Sequence, residues 1–417
     1  MSPEFADRLL NLPRYSELGN AAIKPGLQGI SMLLEPMGNP HQSFSSVHIA
    51  GTNGKGTVAS MIASIGQVAG YRMGLYTSPH LLHLSERIRL NGIPVPFQWM
   101  ESALDRYQDL LDCLQPSFFE AMTALGFLYF AESTVDFAIV ETGLGGRLDA
   151  TNIVQPALSV ITNIDLDHTR ILGTTLDEIT HEKAGIVKKH VPVISATGHD
   201  FTQDIVNDVA AQMDAPWIEV GHVEDGFLHT PNHQYEHPTT SEAAPVHYMH
   251  NALISARSAE LLFPQVHHHP DLVELGLSQV HTLTGLRGRL EILRKTPLTV
   301  LDVAHNPAGI AAALDYVTQF GSIHLLLSLM NDKDLGGVAV ELARYPSLHM
   351  YVCELDLARA YAGAEMANSL QRSGLNVIAT GSVPMMWDLV RCHVSEKDVI
   401  LICGSHYLAE AFLSIYS

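Results

Sequence analysis

A glycine-rich loop, set between a short apolar run and a stretch of helical periodicity, constrains the fold of this chain most. The loop spans residues 51–57 and follows the apolar residues 47–50. From Val58, apolar side chains recur at helical spacing as far as a stop at Gly70. Glycines let such a loop turn with its N–H groups facing inward, and the following helix N-terminus adds partial positive charge. This order of strand, loop and helix predicts a site for the phosphates of a nucleoside triphosphate.

Lys55 and Thr57 carry the specific chemistry of this loop. The lysine ammonium can reach terminal phosphates, and the threonine hydroxyl can hold Mg²⁺. The loop departs from the usual P-loop pattern, because Ile49 stands where the first glycine belongs and Gly56 separates the lysine from the hydroxyl residue. A glycine-rich turn with a surface lysine is the alternative, but the flanking strand and helix favour the phosphate site.

The charge balance limits the partners of the chain. With 24 Lys and Arg against 44 Asp and Glu, the 417 residues carry a net charge of −20, which repels nucleic acid and anionic membranes. A hydrophobic content of 47% supports cores for two or three domains. The four widely spaced cysteines predict neither disulfides nor a zinc site, and no targeting or membrane-spanning segment is evident. We expect a cytoplasmic, monomeric enzyme.

Strand-like segments alternate with helical patterns in two blocks. The first block continues from the glycine loop through 137–140, 157–161 and 191–195, and predicts a largely parallel α/β sheet with functional residues at the strand C-termini. The second block predicts another α/β domain, with strands at 299–303, 325–329, 350–354, 376–380 and 398–403. Residues 285–289, which contain two glycines and two arginines, form the predicted hinge. The predicted domains are 1–285 and 286–417.

A polar region at residues 221–250 interrupts this alternation. Pro231, Pro238 and Pro245 indicate loop or edge-strand structure. Its scattered histidines, with His267–His269 beyond, could suggest metal binding. They lack helix-face spacing and carboxylate partners, so the sequence favours a surface loop.

Nine motifs, in order along the chain, resemble those of the folylpolyglutamate synthase and dihydrofolate synthase family within the Mur ligase superfamily. The matching segments are 48–57, 77–81, 86–92, 141–152, 167–169, 181–186, 288–289, 302–307 and 403–406. The resemblance spans nearly the whole chain. It implies an α/β fold with a P-loop-type Mur ligase central domain, here the ATPase and pterin-binding domain, followed by a smaller Rossmann-like α/β ligase domain.

The resemblance also implies a reaction. ATP would phosphorylate a pterin-linked carboxylate, and the amine of L-glutamate would attack the resulting acyl phosphate to form an amide. The expected substrates are ATP, L-glutamate, dihydropteroate and reduced folates, with Mg²⁺ as the metal. The alternatives are an enzyme with only one of the two activities, a Mur-type peptide ligase, or a P-loop nucleotide switch that binds without ligation.

The family's nucleotide and metal positions fall on specific residues here. Those implied to bind nucleotide are Thr52, Asn53, Gly54, Lys55, Gly56, Thr57, Asn251, Arg289, Asp302 and His305. Those implied to hold the metal are Thr57, Ser78, Glu141, His168 and Lys183. Lys183 matches a carbamylated lysine of the family, which turns a cation into a carboxylate-like ligand; a plain lysine paired with Glu182 or a phosphate is the alternative. Lys55, His168 and Lys183 are the expected catalytic residues.

Three segments match the family's pterin site. They are Gly26 and Leu27; Ser117, Phe118, Phe119 and Glu120; and Leu148, Asp149 and Ala150. Aromatic faces can stack on a pterin, and a carboxylate can pair with its amino-pyrimidine edge. Phe118 and Phe119 are equally well explained as core residues at a helix start. Arg87 and Arg89 either meet anionic substrate tails or form structural ion pairs.

Overall fold

The computed structural model describes residues 12, 26–236 and 245–416. They separate into two compact units. The first contains the described residues up to Leu286 other than Pro245, and the second contains Pro245 and the described residues from Arg287 onward. The boundary falls inside the predicted hinge. In the part of the chain that is described, no helix is long and apolar enough to cross a membrane.

The first unit is built on an eight-stranded sheet in the order β4-β3-β2-β5-β1-β6-β7-β8. Its strands are β1 (Ser45–Ala50), β2 (Met73–Tyr76), β3 (Ile88–Leu90), β4 (Ile93–Pro94), β5 (Phe137–Glu141), β6 (Leu158–Ile161), β7 (Val193–Ser195) and β8 (Trp217–Ile218). The strands from β2 to β8 along this order run parallel, whereas β3 and β4 pair antiparallel at one edge.

Helices flank this sheet on both faces, as expected for parallel strands that are buried on both sides. They are α1 (Gln28–Leu34), α2 (Lys55–Val68), α3 (Phe97–Arg106), α4 (Gln108–Leu114), α5 (Phe118–Glu132), α6 (Thr169–Leu172), α7 (Leu176–Ala184), α8 (Asp200–Gln212), α9 (Val246–Leu262), α10 (Pro264–His268), α11 (Asp271–Ser278) and α12 (Val280–Thr284). Helix α2 packs against α9, α11 and α12. Ser64 of α2 donates a 2.7 Å hydrogen bond to the carbonyl of Gly276 in α11, which ties the two helices together.

A small antiparallel sheet follows β8, in the region predicted as loop or edge strand. It consists of β9 (His222–Glu224), β10 (Phe227–His229) and β11 (Gln234–Glu236). Leu228 and Tyr235 are fully buried on the face that packs toward α9 and α11. These short strands were not predicted individually, and Pro238 lies outside the described residues.

The second unit has a six-stranded sheet in the order β12-β13-β17-β14-β15-β16, parallel except at the β12 edge. Its strands are β12 (Glu291–Lys295), β13 (Leu298–Leu301), β14 (Ile323–Leu327), β15 (His349–Glu354), β16 (Val377–Ser382) and β17 (Val399–Cys403). Its helices are α13 (Pro307–Val317), α14 (Leu335–Leu342), α15 (Gly363–Arg372), α16 (Val383–His393) and α17 (His406–Ile415). Every predicted strand of this unit is present.

The register of the first sheet positions the functional loops. Ile49 pairs with Glu141, and Ala50 pairs with Ile161. The chain segments that follow β1, β5 and β6 therefore leave the sheet side by side, at the side where the C-termini of the parallel strands lie. This is the edge at which parallel α/β sheets bind ligands.

Candidate active site

Backbone geometry at Gly54 shapes the loop at the end of β1. Gly54 has a φ of 84° and immediately precedes α2, a backbone conformation that residues with a Cβ adopt only at a cost. A Cβ at this position would also lie 2.5 Å from Oδ1 of Asn251, a buried residue of α9. The glycine loop and Asn251 therefore lie against each other in the folded chain. The contact of Asn251 with adenine remains a prediction.

Asn163, which follows β6, holds the front of the loop. Its carbonyl accepts a hydrogen bond from Thr52 N at 2.7 Å, and its Oδ1 accepts one from Asn53 N at 2.6 Å. Thr162 Oγ1 donates to the carbonyl of Asn53 at 2.7 Å. Because the N–H groups of Thr52 and Asn53 point to Asn163, we expect the N–H groups of the first turn of α2 to be the ones that bind phosphate. The sequence analysis did not single out Asn163.

Lys55 and Lys183 converge on one carbonyl oxygen. Lys55 Nζ donates to the carbonyls of Gly51 at 3.1 Å and Thr52 at 3.2 Å, and Lys183 Nζ donates to that of Gly51 at 2.7 Å. Burial, and after it the charge of Lys55, lower the pKa of Lys183 to about 7, against the opposing influence of Asp167. Two predicted catalytic lysines thus meet at the base of the glycine loop.

Glu141, the last residue of β5, lies between the loop and the segment after β2. Its Oε2 accepts a 3.0 Å hydrogen bond from the backbone N–H of Ser78. A Cβ at Gly56 would lie 3.4 Å from the same oxygen, so the first turn of α2 packs closely against the carboxylate. Thr57 is the next residue on that turn, and both Thr57 and Glu141 are buried. The fold therefore brings three predicted metal ligands to one place.

His168 occupies a left-handed backbone conformation with a φ of 51° after β6. Its backbone N–H donates to Asp167 Oδ1 at 2.8 Å, and its Nε2 lies 3.8 Å from Asp167 Oδ2. Asp167 is also close enough to Lys183 to raise the pKa of the lysine. Asp167 is thus an additional carboxylate of the site. The sequence analysis included it only as part of a matching motif.

The donor atoms of these side chains are of the kind that a divalent cation of the Mg²⁺ type prefers, although the ligand atoms of Glu141, Asp167 and His168 do not form a compact group in this structure. Glu141 and Asp167 supply carboxylates, Thr57 and Ser78 supply hydroxyls, and Glu141 is a buried acid at the sheet edge. Hard oxygen donors of this kind are those that Mg²⁺ prefers, and a buried carboxylate is favoured by a nearby cation. Lys183, as an ammonium, opposes metal binding unless its charge is removed.

The predicted pterin residues Ser117–Glu120 form the start of α5. Ser117 N and Oγ each donate to Glu120 Oε2 at 2.8 Å, and Glu120 N donates back to Ser117 Oγ at 3.2 Å. This is a capping box, which satisfies helix-terminal N–H groups. Phe118 is buried in the core of the first unit. For Ser117, Phe118 and Glu120 the structure thus supplies a structural role, whereas their contact with a pterin remains a prediction.

Phe119 differs from its neighbours because its ring faces the segment after β5. A Cβ at Gly143 would lie 2.5 Å from this ring, and the ring centroid is 6.2 Å from that of Tyr76. Helix α1 contacts the same segment, because a Cβ at Gly29 would collide with the Glu120 carboxylate. Gly26 and Leu27 directly precede this helix. Two of the three predicted pterin segments are therefore neighbours.

Asp149 fixes the third segment. Its Oδ2 accepts from Gly143 N at 2.9 Å and Leu144 N at 2.8 Å, and its Oδ1 accepts from Thr151 N at 3.0 Å. Burial raises the pKa of this carboxyl against the opposing effect of those hydrogen bonds. Leu148 is exposed and Ala150 is buried. Because Phe119 packs on Gly143, this loop adjoins the start of α5.

The two arginines of the 86–92 motif have partners within the first unit. Arg87 Nε donates to His80 Nδ1 at 2.9 Å, and its guanidinium lies 5.2 Å from the centroid of Phe118. Arg89 is buried, and its Nη2 lies 3.9 Å from Glu86 Oε2. The contact of Arg89 is the structural ion pair of the alternative, whereas Arg87 makes a hydrogen bond and a cation–π contact.

The predicted nucleotide residues of the second unit cluster at the C-terminal end of β13. Asp302 Oδ1 accepts from Ala304 N at 2.7 Å, and Asp302 Oδ2 accepts from Leu290 N at 2.8 Å. Leu290 directly follows Arg289, and Ala304 directly precedes His305. Through its two hydrogen bonds, Asp302 therefore connects the segment of Arg289 to the segment of His305. His305 Nδ1 lies 2.9 Å from the Val303 carbonyl, which can only accept, so Nδ1 is the donor.

Both units match Mur ligase models. Residues 49–256 match the Mur ligase middle domain, and residues 288–406 match the Mur ligase glutamate ligase domain. With a phosphate-type loop on a parallel sheet and a second α/β unit, the chain belongs to the Mur ligase superfamily.

Individual relatives define the family within that class. The chain is 32% identical to the dihydrofolate synthase/folylpolyglutamate synthase of Bacillus subtilis, with 92% of this chain and 93% of the relative covered. It is 31% identical to the folylpolyglutamate synthase of Lacticaseibacillus casei, with 96% and 95% covered. The chain belongs to the dihydrofolate synthase/folylpolyglutamate synthase family, which confirms the resemblance found in its motifs.

Solved structures of similar proteins agree with this fold. FolC of E. coli, in complex with DHPP and ADP, is 26% identical and superposes with a TM-score of 0.87 over 99% of this chain and 97% of that one. The bifunctional folylpolyglutamate synthase/dihydrofolate synthase of Yersinia pestis, complexed with AMPPNP and an Mn ion, is 26% identical with a TM-score of 0.84, covering 98% and 97%. The predicted two-part α/β fold is confirmed.

Proposed function

We propose that this protein joins L-glutamate to dihydropteroate and to reduced folates in an ATP-dependent reaction that passes through an acyl phosphate. The observation that carries the proposal is the meeting of Lys55 and Lys183 at the glycine loop, beside the buried Glu141. A phosphoryl-transfer enzyme needs cationic groups on the phosphates and a carboxylate for a metal at this place. The named relatives, and a similar structure that holds ADP and DHPP, support the same reaction class.

The chain's own residues account for the first chemical step. The Lys55 ammonium and the N–H groups at the start of α2 bind the β- and γ-phosphates, which spreads the negative charge of the transferring group. The acceptor carboxylate oxygen attacks the γ-phosphorus, and the bond from this phosphorus to the bridging oxygen of ADP breaks. Mg²⁺ held by Thr57, Ser78, Glu141 and His168 would supply charge neutralisation at the phosphates. The glutamate amine then attacks the acyl carbon, and inorganic phosphate leaves.

Lys183 fits this scheme best as a carbamate. Its Nζ is buried and lies near the charge of Lys55, and both conditions favour the neutral amine. A neutral amine adds CO₂ by forming an N–C bond and losing one proton, which leaves an anionic oxygen pair. That product would support the metal, whereas an ammonium would repel it.

The proposal assigns two acceptors, dihydropteroate and reduced folates, to one active site. Both reactions form the same kind of amide, and the two acceptors share a pterin head, so Lys55 and Glu141 would serve both. The relative from B. subtilis is named for both activities, and that from L. casei for folylpolyglutamate synthesis alone. A single-activity enzyme is therefore the second candidate.

One assay separates these candidates. Purified protein is given ATP, Mg²⁺ and labelled L-glutamate with either dihydropteroate or a reduced folate, and product and phosphate are both measured. We expect amide product with each acceptor, and phosphate release that requires both acceptor and glutamate. Product from one acceptor only would reduce the claim to a single activity. Phosphate release without any acceptor would support a nucleotide switch instead.

A further inference from the structure

Two histidines and a glutamate lie on one face of the hairpin formed by β9 and β10. His222 pairs across the strands with His229, and Glu224 is two residues along the same strand from His222. Side chains at i and i+2, and directly across a sheet pair, project from the same face. The imidazole rings of His222 and His229 are stacked, with centroids 4.9 Å apart and an interplanar angle of 5°. His222 Nε2 lies 3.7 Å from Glu224 Oε2.

The turn of the hairpin fixes this register. Asp225 and Gly226 have φ values of 49° and 81° and join Glu224 to Phe227, which pair with each other. A two-residue Asp-Gly turn with both φ values positive is the connection that matches the twist of an antiparallel pair. A shift by one residue would turn the three side chains away from each other, so the turn maintains their juxtaposition.

The opposite face of the hairpin anchors it to the protein. Leu228 and Tyr235 are buried there, and the small sheet packs against α9. Tyr235 OH also donates a 2.8 Å hydrogen bond to Glu260 of that helix. With this face fixed, His222 and Glu224 extend into solvent, with side chains 67% and 66% exposed.

We propose that His222, Glu224 and His229 form a binding site for a divalent transition-metal ion of the Zn²⁺ class. Each residue offers one ligand atom, and all three atoms lie within 4.8 Å of one another. Imidazole nitrogens with one carboxylate oxygen are a ligand set that Zn²⁺ accepts, whereas Mg²⁺ favours oxygen ligands. In a tetrahedral zinc site the ligand atoms are about 3.4 Å apart, given bond lengths near 2.1 Å. Metal binding would therefore require the side chains to rotate from the stacked arrangement and bring their ligand atoms closer together.

The site is independent of the ligase chemistry. The metal would join β9 to β10 and leave one coordination position to water, so its effect is to hold the hairpin. The sequence favoured a surface loop over a metal site because the histidines lacked helix-face spacing and carboxylate partners. The strand pairing supplies both the spacing and the carboxylate.

The test is a calorimetric titration of the full chain with ZnCl₂, in excess Mg²⁺ and ADP so that the phosphate site is already occupied. We expect one Zn²⁺ to bind at this site, and each of the variants His222→Gln and His229→Gln to weaken it by at least about tenfold. Mg²⁺ alone should produce no response at the hairpin. The matched control is His199→Gln, which changes an exposed histidine outside the cluster and should bind zinc like the parent protein.

A second measurement needs no variant. Zn²⁺ should protect His222 and His229, but not His199, from carbethoxylation by diethyl pyrocarbonate, as read by peptide mass spectrometry. Unchanged zinc affinity in both hairpin variants, or equal modification of all three histidines with and without metal, would overturn the proposal. Loss of binding only when His267–His269 are replaced by glutamine would also overturn it, since the site would then lie in that run.

Discussion

The ammonium groups of Lys55 and Lys183 donate hydrogen bonds to the same carbonyl, that of Gly51, at 3.1 and 2.7 Å. Two like charges this close repel each other, and the buried lysine is the one whose charge is disfavoured. The half-buried Lys55 keeps its access to a ligand. Lys183 is therefore disposed to lose its charge, whereas the binding of phosphates by Lys55 is part of the proposal.

Lys55→Met should lower the turnover of the enzyme by at least about 10²-fold, because removal of one charge-stabilising donor from a phosphoryl-transfer site has an effect of that order. The helix start should remain intact, since methionine is a good helix former. Product formation and the thermal unfolding midpoint are the two measurements. Lys189→Met, a change at an exposed lysine of the same unit, is the control and should leave turnover unchanged. Near-normal turnover in the Lys55 variant would reject the phosphate site.

Lys183→Ala should be inactive and should regain part of its activity with a small added carboxylate, because the missing group is an anionic oxygen pair.

In the unmodified protein, the pKa of about 7 for Lys183 means that the fraction of neutral amine increases as the pH rises through 7. Activity after removal of CO₂ should therefore recover on adding bicarbonate, and, with dissolved CO₂ held equal, it should recover faster at pH 8 than at pH 6. Recovery independent of both bicarbonate and pH, with no carbamate signal in ¹³C NMR, would contradict this role.

Glu141→Gln should raise the Mg²⁺ concentration needed for half-maximal activity by at least about tenfold, because a carboxylate ligand is replaced by a neutral amide. The amide keeps an oxygen that can accept from Ser78 N, so the fold should persist. Metal titrations of activity measure the effect. The control is Glu132→Gln at the end of α5. The Glu132 carboxylate accepts hydrogen bonds from Trp99 and Arg106, and its replacement should leave the metal requirement unchanged. Identical titrations for the two variants would remove Glu141 from the metal site.

Gly54→Ala should weaken ATP binding by at least about tenfold. The substitution combines a positive φ with a Cβ placed 2.5 Å from Asn251 Oδ1, and so must displace either the loop or Asn251. Gly70→Ala is a matched control, because Gly70 has a φ of 92° but open space around its Cβ position. The control should lose about 1 kcal/mol of stability from backbone strain and keep its ATP affinity. Equal ATP affinities in the two variants would contradict the proposed loop geometry.

The sequence predicted those strands and loops that are determined by residues close together in the chain. The strands β1, β5 and β6 are apolar runs, and the loop chemistry around Lys55 is contiguous in the chain, so each was accessible without the fold. Strand β2 was missed because Gly74 interrupts a four-residue run; the glycine is needed since a Cβ there would lie 2.8 Å from the ring of Phe130. This requirement comes from a residue distant in the sequence.

Asn163 and the β9–β10 hairpin were missed for a similar reason. Asn163 holds the loop across 110 residues of sequence through its contact with Asn53 N, and no motif marks such a contact. Its position just after a parallel strand was the only available signal. The three side chains of the hairpin lie within residues 222–229, but only strand pairing places His229 beside the other two. The Asp225-Gly226 turn could have indicated that pairing.

The segment Ser117–Glu120 allows its structural and binding roles to be separated. Ser117 caps α5, so Ser117→Ala should cost about 1 kcal/mol of stability and leave the KM for the pterin acceptor unchanged. Phe119 makes no cap bond and presents its ring toward Gly143, so Phe119→Leu should raise the KM for the acceptor several-fold while the KM for ATP stays constant. Chemical denaturation and steady-state kinetics with varied acceptor and varied ATP measure the two effects. If Phe119→Leu changed stability alone, the ring would be a core residue like Phe118. If Ser117→Ala raised the acceptor KM at unchanged stability, the serine would contact the pterin.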